Sequence, residues 1–138
     1  MKVNIGRYRK HNAPRTIKVQ VDKWDTYSAD HTLALVILPV LKQYKENNNG
    51  SPVVDNEDVP EHLRIPEGQE FEMSDKWEPR WNYVVDEMIW AFERLVSDEW
   101  EGEFFANDTP DMEGLGKVNK RIDNGLRLFG KYYRGLWI

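Results

Sequence analysis

Cysteine is absent from the 138 residues, which excludes disulfides, thiolate metal sites and a cysteine nucleophile and fits a reducing compartment. Long apolar runs are absent too: the longest, Leu33 to Leu41, falls far short of the roughly 20 residues a membrane span needs. The first residues, Met1 to Gly6, carry no apolar stretch behind Lys2, so no secretory signal is expected and the chain is predicted to stay in the cytoplasm where it is made. No phosphate-cradling glycine loop, nucleophile elbow or paired-histidine zinc motif occurs. The three histidines, His11, His31 and His62, are scattered. These absences point to binding rather than catalysis, with no cofactor.

What is present supports one packed core. Hydrophobic residues make up 40% of the chain and aromatics 12%, enough for a single domain over 1–138. Net charge is −5, but its distribution says more. Residues 1–24 carry seven Lys/Arg against one Asp, whereas residues 55–112 carry four against eighteen acids, a net −14; residues 113–138 return to +4. Basic ends therefore flank an acidic middle. They either pair with one another within the fold or await a partner.

The pattern predicts a mainly α (α+β) fold of three main helices, an N-terminal β-hairpin and long acidic loops. Residues 2–6 and 16–21 alternate apolar and polar side chains, the period of a strand with one face on a core, and Arg7 to Arg15 forms a basic loop between them. A lone hairpin is marginal in water, so it must lie against helices or pair with another chain. A first helix, capped by Ser28, runs to about Glu46 with Pro39 inside it, and the apolar run Leu33 to Leu41 predicts burial all round. Ser51 to Lys76 reads as a long acidic connection with one helical turn near Val59 to Leu63.

A second helix begins at Pro79 and runs to about Trp100, with a core stripe of Trp81, Val84, Val85, Met88, Phe92, Leu95 and Val96. Trp90 stands among carboxylates on its polar face, which predicts that something covers it. After an acidic loop from Glu101 to Glu113, a third helix starts near Leu115, with core positions Leu115, Val118, Ile122, Leu126, Phe129, Tyr133 and Leu136. A break at Gly130 is an alternative to continuation toward Trp137. Lys117, Lys120, Asn124, Arg127, Lys131 and Arg134 project together as one basic face.

Three blocks, KWDTYSADHTLAL at residues 23–35, WNYVVDEMIWAF at 81–92 and RIDNGLRLFGKYYRGLW at 121–137, resemble a family of small uncharacterised proteins of tailed bacteriophages. The resemblance implies a viral accessory protein in the bacterial host cytoplasm and no site residues. By analogy of context, such a protein acts in counter-defence, blocking host defences or redirecting host enzymes.

Candidate sites follow from charge and aromatics. Asp86, Glu87 and Glu93 faintly resemble the acidic helices of all-helical nucleotide pyrophosphohydrolases, but the repeated Glu pairs of those enzymes are missing. A metal site from His31, Asp25 and Asp30 is chemically feasible, against the simpler reading that acids near a helix start favour its dipole. The basic face offers phosphate-binding charge beside stacking rings. It predicts non-enzymatic binding of a small phosphorylated ligand, such as a nucleotide signal to be sequestered, through Arg15, Trp90, Arg121, Arg127, Lys131 and Tyr133. The alternative is an acidic surface, Asp55 to Asp111, that binds and inhibits a host protein or mimics nucleic acid. Duplex DNA is disfavoured by the acidic middle. Surplus aromatics and the uncovered hairpin suggest a homodimer.

Overall fold

Local periodicity does produce the expected elements. The computed structural model describes residues 1–69 and 75–137, and it is mainly helical with an N-terminal hairpin. Residues 70–74 of the expected acidic connection and Ile138 lie outside the described residues. Strand β1 (Lys2–Ile5) pairs antiparallel with β2 (Ile17–Gln20), placing Val3 opposite Val19 and Ile5 opposite Ile17. Helix α1 spans Ala29–Asn47, α2 Trp77–Val96 and α3 Met112–Tyr132. No helix among the described residues is long and apolar enough to cross a membrane.

The chain forms two compact units, Met1–Leu33 and Ala34–Ile138. The physical reason is burial. None of the described side chains of the first unit is buried, whereas the second holds a continuous core. The first unit is stapled by its own polar groups: the N-terminal ammonium meets Asp25, and Asp22 and Asp25 cap a 3-10 turn at Lys23–Thr26 reciprocally.

In the second unit the core gathers Leu41, Val54, Val59, Trp81, Met88 and Leu128. The Trp81 indole donates to the Tyr44 hydroxyl at 3.1 Å and meets the Tyr132 ring edge-on. Ion pairs Lys42–Glu93 and Lys45–Asp86 join α1 to α2. Helices α2 and α3 make the most extensive contact between elements. It centres on Gly125, where an added Cβ would lie 2.4 Å from the Ala91 Cβ and 2.7 Å from the Glu87 carbonyl oxygen, so only a glycine lets the backbones approach this closely.

Three expectations are corrected. The apolar run of α1 is not buried all round: Leu33, Leu35 and Val40 are exposed, and only Ala34 and Leu41 are buried. The α3 stripe turns by one position after Ile122, to Gly125, Leu128 and Tyr132, leaving Leu126 and Tyr133 exposed. The close crossing at Gly125 fixes that phase. Of the two readings open at Gly130, α3 follows continuation: an added Cβ there would meet open space, and the helix ends in a 3-10 turn at Tyr133–Gly135. Helix α2 stops at Val96, and Glu99–Phe105 form 3-10 structure instead of its expected last turn.

Candidate functional site

The acidic connection after α1 is held by buried polar groups. Arg80 lies in the first turn of α2, in phase with Val84 and Ala91, and is therefore turned inward. It donates to Asn56 Oδ1 at 2.9 Å, to the Leu63 carbonyl at 2.6 Å and to the Val54 carbonyl. Asn56 in turn brackets Ile65, donating to its carbonyl at 2.6 Å and accepting from its amide at 2.9 Å. Burial lowers the pKa of Arg80, opposed in part by the nearby charges of Tyr132 and Asp55. One arginine thus fixes three points of a segment that has little regular structure.

Asp58 closes the segment onto α3. Its carboxylate is fully buried and accepts from Arg127, Lys131 and the Tyr132 hydroxyl, each at 2.6 Å. Arg127 and Lys131 lie one helical turn apart and so share a side of α3, and Tyr132 follows Lys131 directly, turned toward the core. Burial alone would raise the pKa of Asp58; hydrogen bonds from Lys131, Tyr132 and Arg127 outweigh it and hold the carboxyl below the usual range. Tyr132 is pushed up to about 12, by burial first and then by its bond to Asp58. Lys131 also reaches Asp55 at 2.7 Å and Glu57 at 3.1 Å, and these bonds, with that to Asp58, raise its pKa. Asp55, Glu57 and Asp58 offer oxygens within 4.8 Å of one another, a spacing compatible with a metal, but the Lys131 ammonium touches all three.

Glu87 and Trp90 form a second polar centre. Arg121 pairs with buried Glu87 through two parallel bonds, Nε at 3.0 Å and Nη2 at 2.8 Å, which raise its pKa. The Arg121 and Arg94 guanidinium groups lie 4.0 and 4.1 Å from the centroid of the Trp90 ring. Something does cover Trp90, as its setting among carboxylates predicts, and it is the protein's own arginines.

Of the six residues expected to hold a phosphorylated ligand, the five in the second unit do not gather around one opening. Arg121 and Trp90 meet each other. Arg127 and Lys131 are engaged by Asp58 and its neighbours. Tyr133 is exposed and edge-on to Phe129. Arg15 belongs to the hairpin unit, where it donates to the Gly6 carbonyl at 2.7 Å and lies over Tyr8. A cavity of about 170 Å³ beside Val54, Asn56, Trp77 and Arg80 is lined by none of the six. Of the remaining basic face, Lys117 makes a loose exposed pair with Glu113, while Lys120 and Arg134 have no ion-pair partner among the described residues. Fourteen residues separate those two, roughly 20 Å of helix, too far to grip one small phosphate group.

Comparison with protein-family models, curated proteins and solved structures gives no match, and so nothing there bears on the phage resemblance.

The second acidic segment, residues 98–113, behaves differently. It carries seven carboxylates and no Lys or Arg. The Trp100 indole donates to the Arg94 carbonyl at 3.3 Å, the Trp100 and Phe104 rings meet edge-on, and the Asp111 amide donates to the Phe104 carbonyl at 2.8 Å. Asp111 also caps α3 by accepting from the Gly114 amide. The segment is thus shaped by its half-buried rings and its backbone. Its acids stay outside: Asp98, Glu99, Glu101, Glu103 and Asp108 are exposed, with no ion-pair partner among the described residues. Phe105 and Met112 stand among them, 51% and 61% exposed.

The sequence reading missed Arg80, Asn56 and Asp58. A signal existed for two buried charges on α2, since Arg80 and Glu87 share the phase of Val84 and Ala91. None existed for Asp58, one acid among many.

Proposed function

We propose that the protein acts by non-enzymatic binding, presenting residues 98–113 as an acidic surface with apolar anchors to a basic patch on a partner protein. The observation that carries this reading is the contrast in compensation. Arg121, Arg127 and Lys131 of α3 are matched by Asp55, Glu57, Asp58 and Glu87, while Asp98, Glu99, Glu101, Glu103 and Asp108 have no ion-pair partner among the described residues and share their segment with exposed Phe105 and Met112. Uncompensated charge of one sign speeds encounter with an oppositely charged surface, and rings that become buried supply most of the affinity. Sequestration of a nucleotide is the weaker proposal, because Arg121, Arg127 and Lys131 would have to leave carboxylate partners to reach it.

A photo-crosslinking residue at Phe105, compared with one at exposed Leu126 on α3, tests this in the cell that makes the protein. The expected result is a discrete adduct at position 105 that disappears in Glu101→Lys/Glu103→Lys. Equal adducts at both positions, or none at 105, would refute the reading.

A further inference from the structure

The hairpin unit carries the complement of the 98–113 surface. Register places Val3 across from Val19 and Ile5 across from Ile17, so these four side chains share one face, which Met1 and Val21 extend by the same parity. All six are between 41% and 68% exposed. The other face shows Lys2 opposite Gln20 and Asn4 opposite Lys18. Six aliphatic side chains left about half open make a patch of several hundred Å², the size at which exposed apolar surface marks an interaction site. A two-stranded ribbon with an open apolar face is marginal in water, so covering that face stabilises it.

Charge points to the same occupant. Residues 1–24 carry a net +6, and among the described residues none of Lys2, Arg7, Arg9, Lys10, Arg15 and Lys18 has a carboxylate partner. Arg9 and Arg15 instead bond Thr16 and the Gly6 carbonyl. Residues 98–113 hold uncompensated negative charge around Phe105 and Met112. The two surfaces are thus opposite in sign, and both carry apolar side chains left open. Two hairpins stacked on each other would instead bring like charges together.

We propose that a second copy of this chain docks on residues 98–113 through the apolar face and cationic rim of its N-terminal hairpin. The pairing rests on the reading of 98–113 as a docking surface and names its occupant. Exchanged reciprocally about a two-fold axis, the contact is made twice, which brings the buried area toward the roughly 1,200–2,000 Å² of a stable interface.

Sedimentation of the full chain across the micromolar range, at about 0.05 M and about 0.5 M salt, tests it. The expected result is a dimer at low salt whose dissociation constant rises about tenfold or more at high salt. Glu101→Lys/Glu103→Lys and Lys2→Glu/Lys18→Glu should each be monomeric alone. Mixed together they should associate again, because the mixture restores opposite charges at both contacts, and a merely misfolded variant could not be rescued this way. A chain that is monomeric at every concentration overturns the proposal, as does a dimer insensitive to salt and to both variants. The crosslinker at position 105 separates the two readings. A monomeric chain that still captures a foreign protein there sinks the dimer and leaves the docking function standing, whereas adducts only to a second copy's hairpin support the dimer and remove the foreign partner.

Discussion

Residues 55–58 and residues 98–113 are both acidic turns leading toward helices, yet one is held inside the molecule and the other outside. At 55–58 all three carboxylates meet Lys131, and Asp58 also meets Arg127, one turn earlier on α3, and the adjacent Tyr132, so that its side chain is fully buried. At 98–113 the shape is set by Trp100, Phe104 and the Asp111 cap, none of which neutralises the remaining acids. The contrast teaches that carboxylate density alone says little about role. What matters is whether a rigid element presents cations at matching spacing. Where α3 does, the acids become structure; where nothing does, they remain a surface.

The comparison breaks most sharply at Asp58. Replacing it with Ala strips the buried partner from Arg127 and Tyr132 and weakens the hold on Lys131, which should cost about 3 kcal/mol. Glu101→Ala should change stability by no more than about 0.5 kcal/mol. Chemical denaturation of the two variants measures both. Equal losses would mean that the two regions do not differ in kind.

Titration sharpens the same contrast. Tyr132 has a folded pKa near 12 against 10.0 for the free side chain, so its neutral form is favoured in the native state. Its contribution is fully present below pH 10 and should be lost as pH rises through about 12, an effect of between about 2 and 3 kcal/mol. Asp58 runs the other way. Its folded pKa is depressed, so its contribution is present above the ordinary carboxyl range and is lost as pH falls through the folded value. Stability against pH should therefore fall at both extremes, and Tyr132→Phe should remove the alkaline step. An alkaline step that survives in Tyr132→Phe would assign it to another group.

Gly125→Ala probes how α3 is held at the distance that lets its cations reach 55–58. The added methyl would meet Ala91 and the Glu87 backbone below 3 Å, so the helices must separate, at a cost of about 2 kcal/mol. A neutral or stabilising result would show that the crossing has slack.

Much of this architecture was legible in the sequence. Alternation at residues 2–6 and 16–21 and the stripe at Trp81, Val84, Val85, Met88 and Phe92 reported real strands and a real helix face. The failures have physical causes. Leu126, Leu128, Phe129, Tyr132 and Tyr133 allow two phases for α3, and the residue that chooses between them, Gly125, has no side chain to register in a hydrophobic pattern. The α1 run reads as buried because it is apolar on every side, but exposure depends on how many neighbours arrive. The basic face was visible from its spacing. Its neutralisation was not, because Asp58 lies 69 residues from Arg127 in sequence and no local pattern links them. Of the six expected ligand residues, the structure brings Arg121 and Trp90 together, and it sets Arg127 and Lys131 on carboxylates of the chain itself.

The smallest effect on stability is expected from Glu101→Lys/Glu103→Lys, and for that reason it is the most informative about 98–113. Both carboxylates are exposed, neither accepts an ion pair among the described residues, and the ring and backbone contacts that shape the segment do not involve them. Reversal should therefore shift the unfolding midpoint by no more than a few degrees. Association should fall at least about tenfold over the same substitutions, because charges at a docking rim act on encounter and register more than on folding. A loss of stability comparable to that of Asp58→Ala would place these acids in the same structural class as 55–58. The distinction between the two acidic regions, and the docking surface built on it, would then fail together.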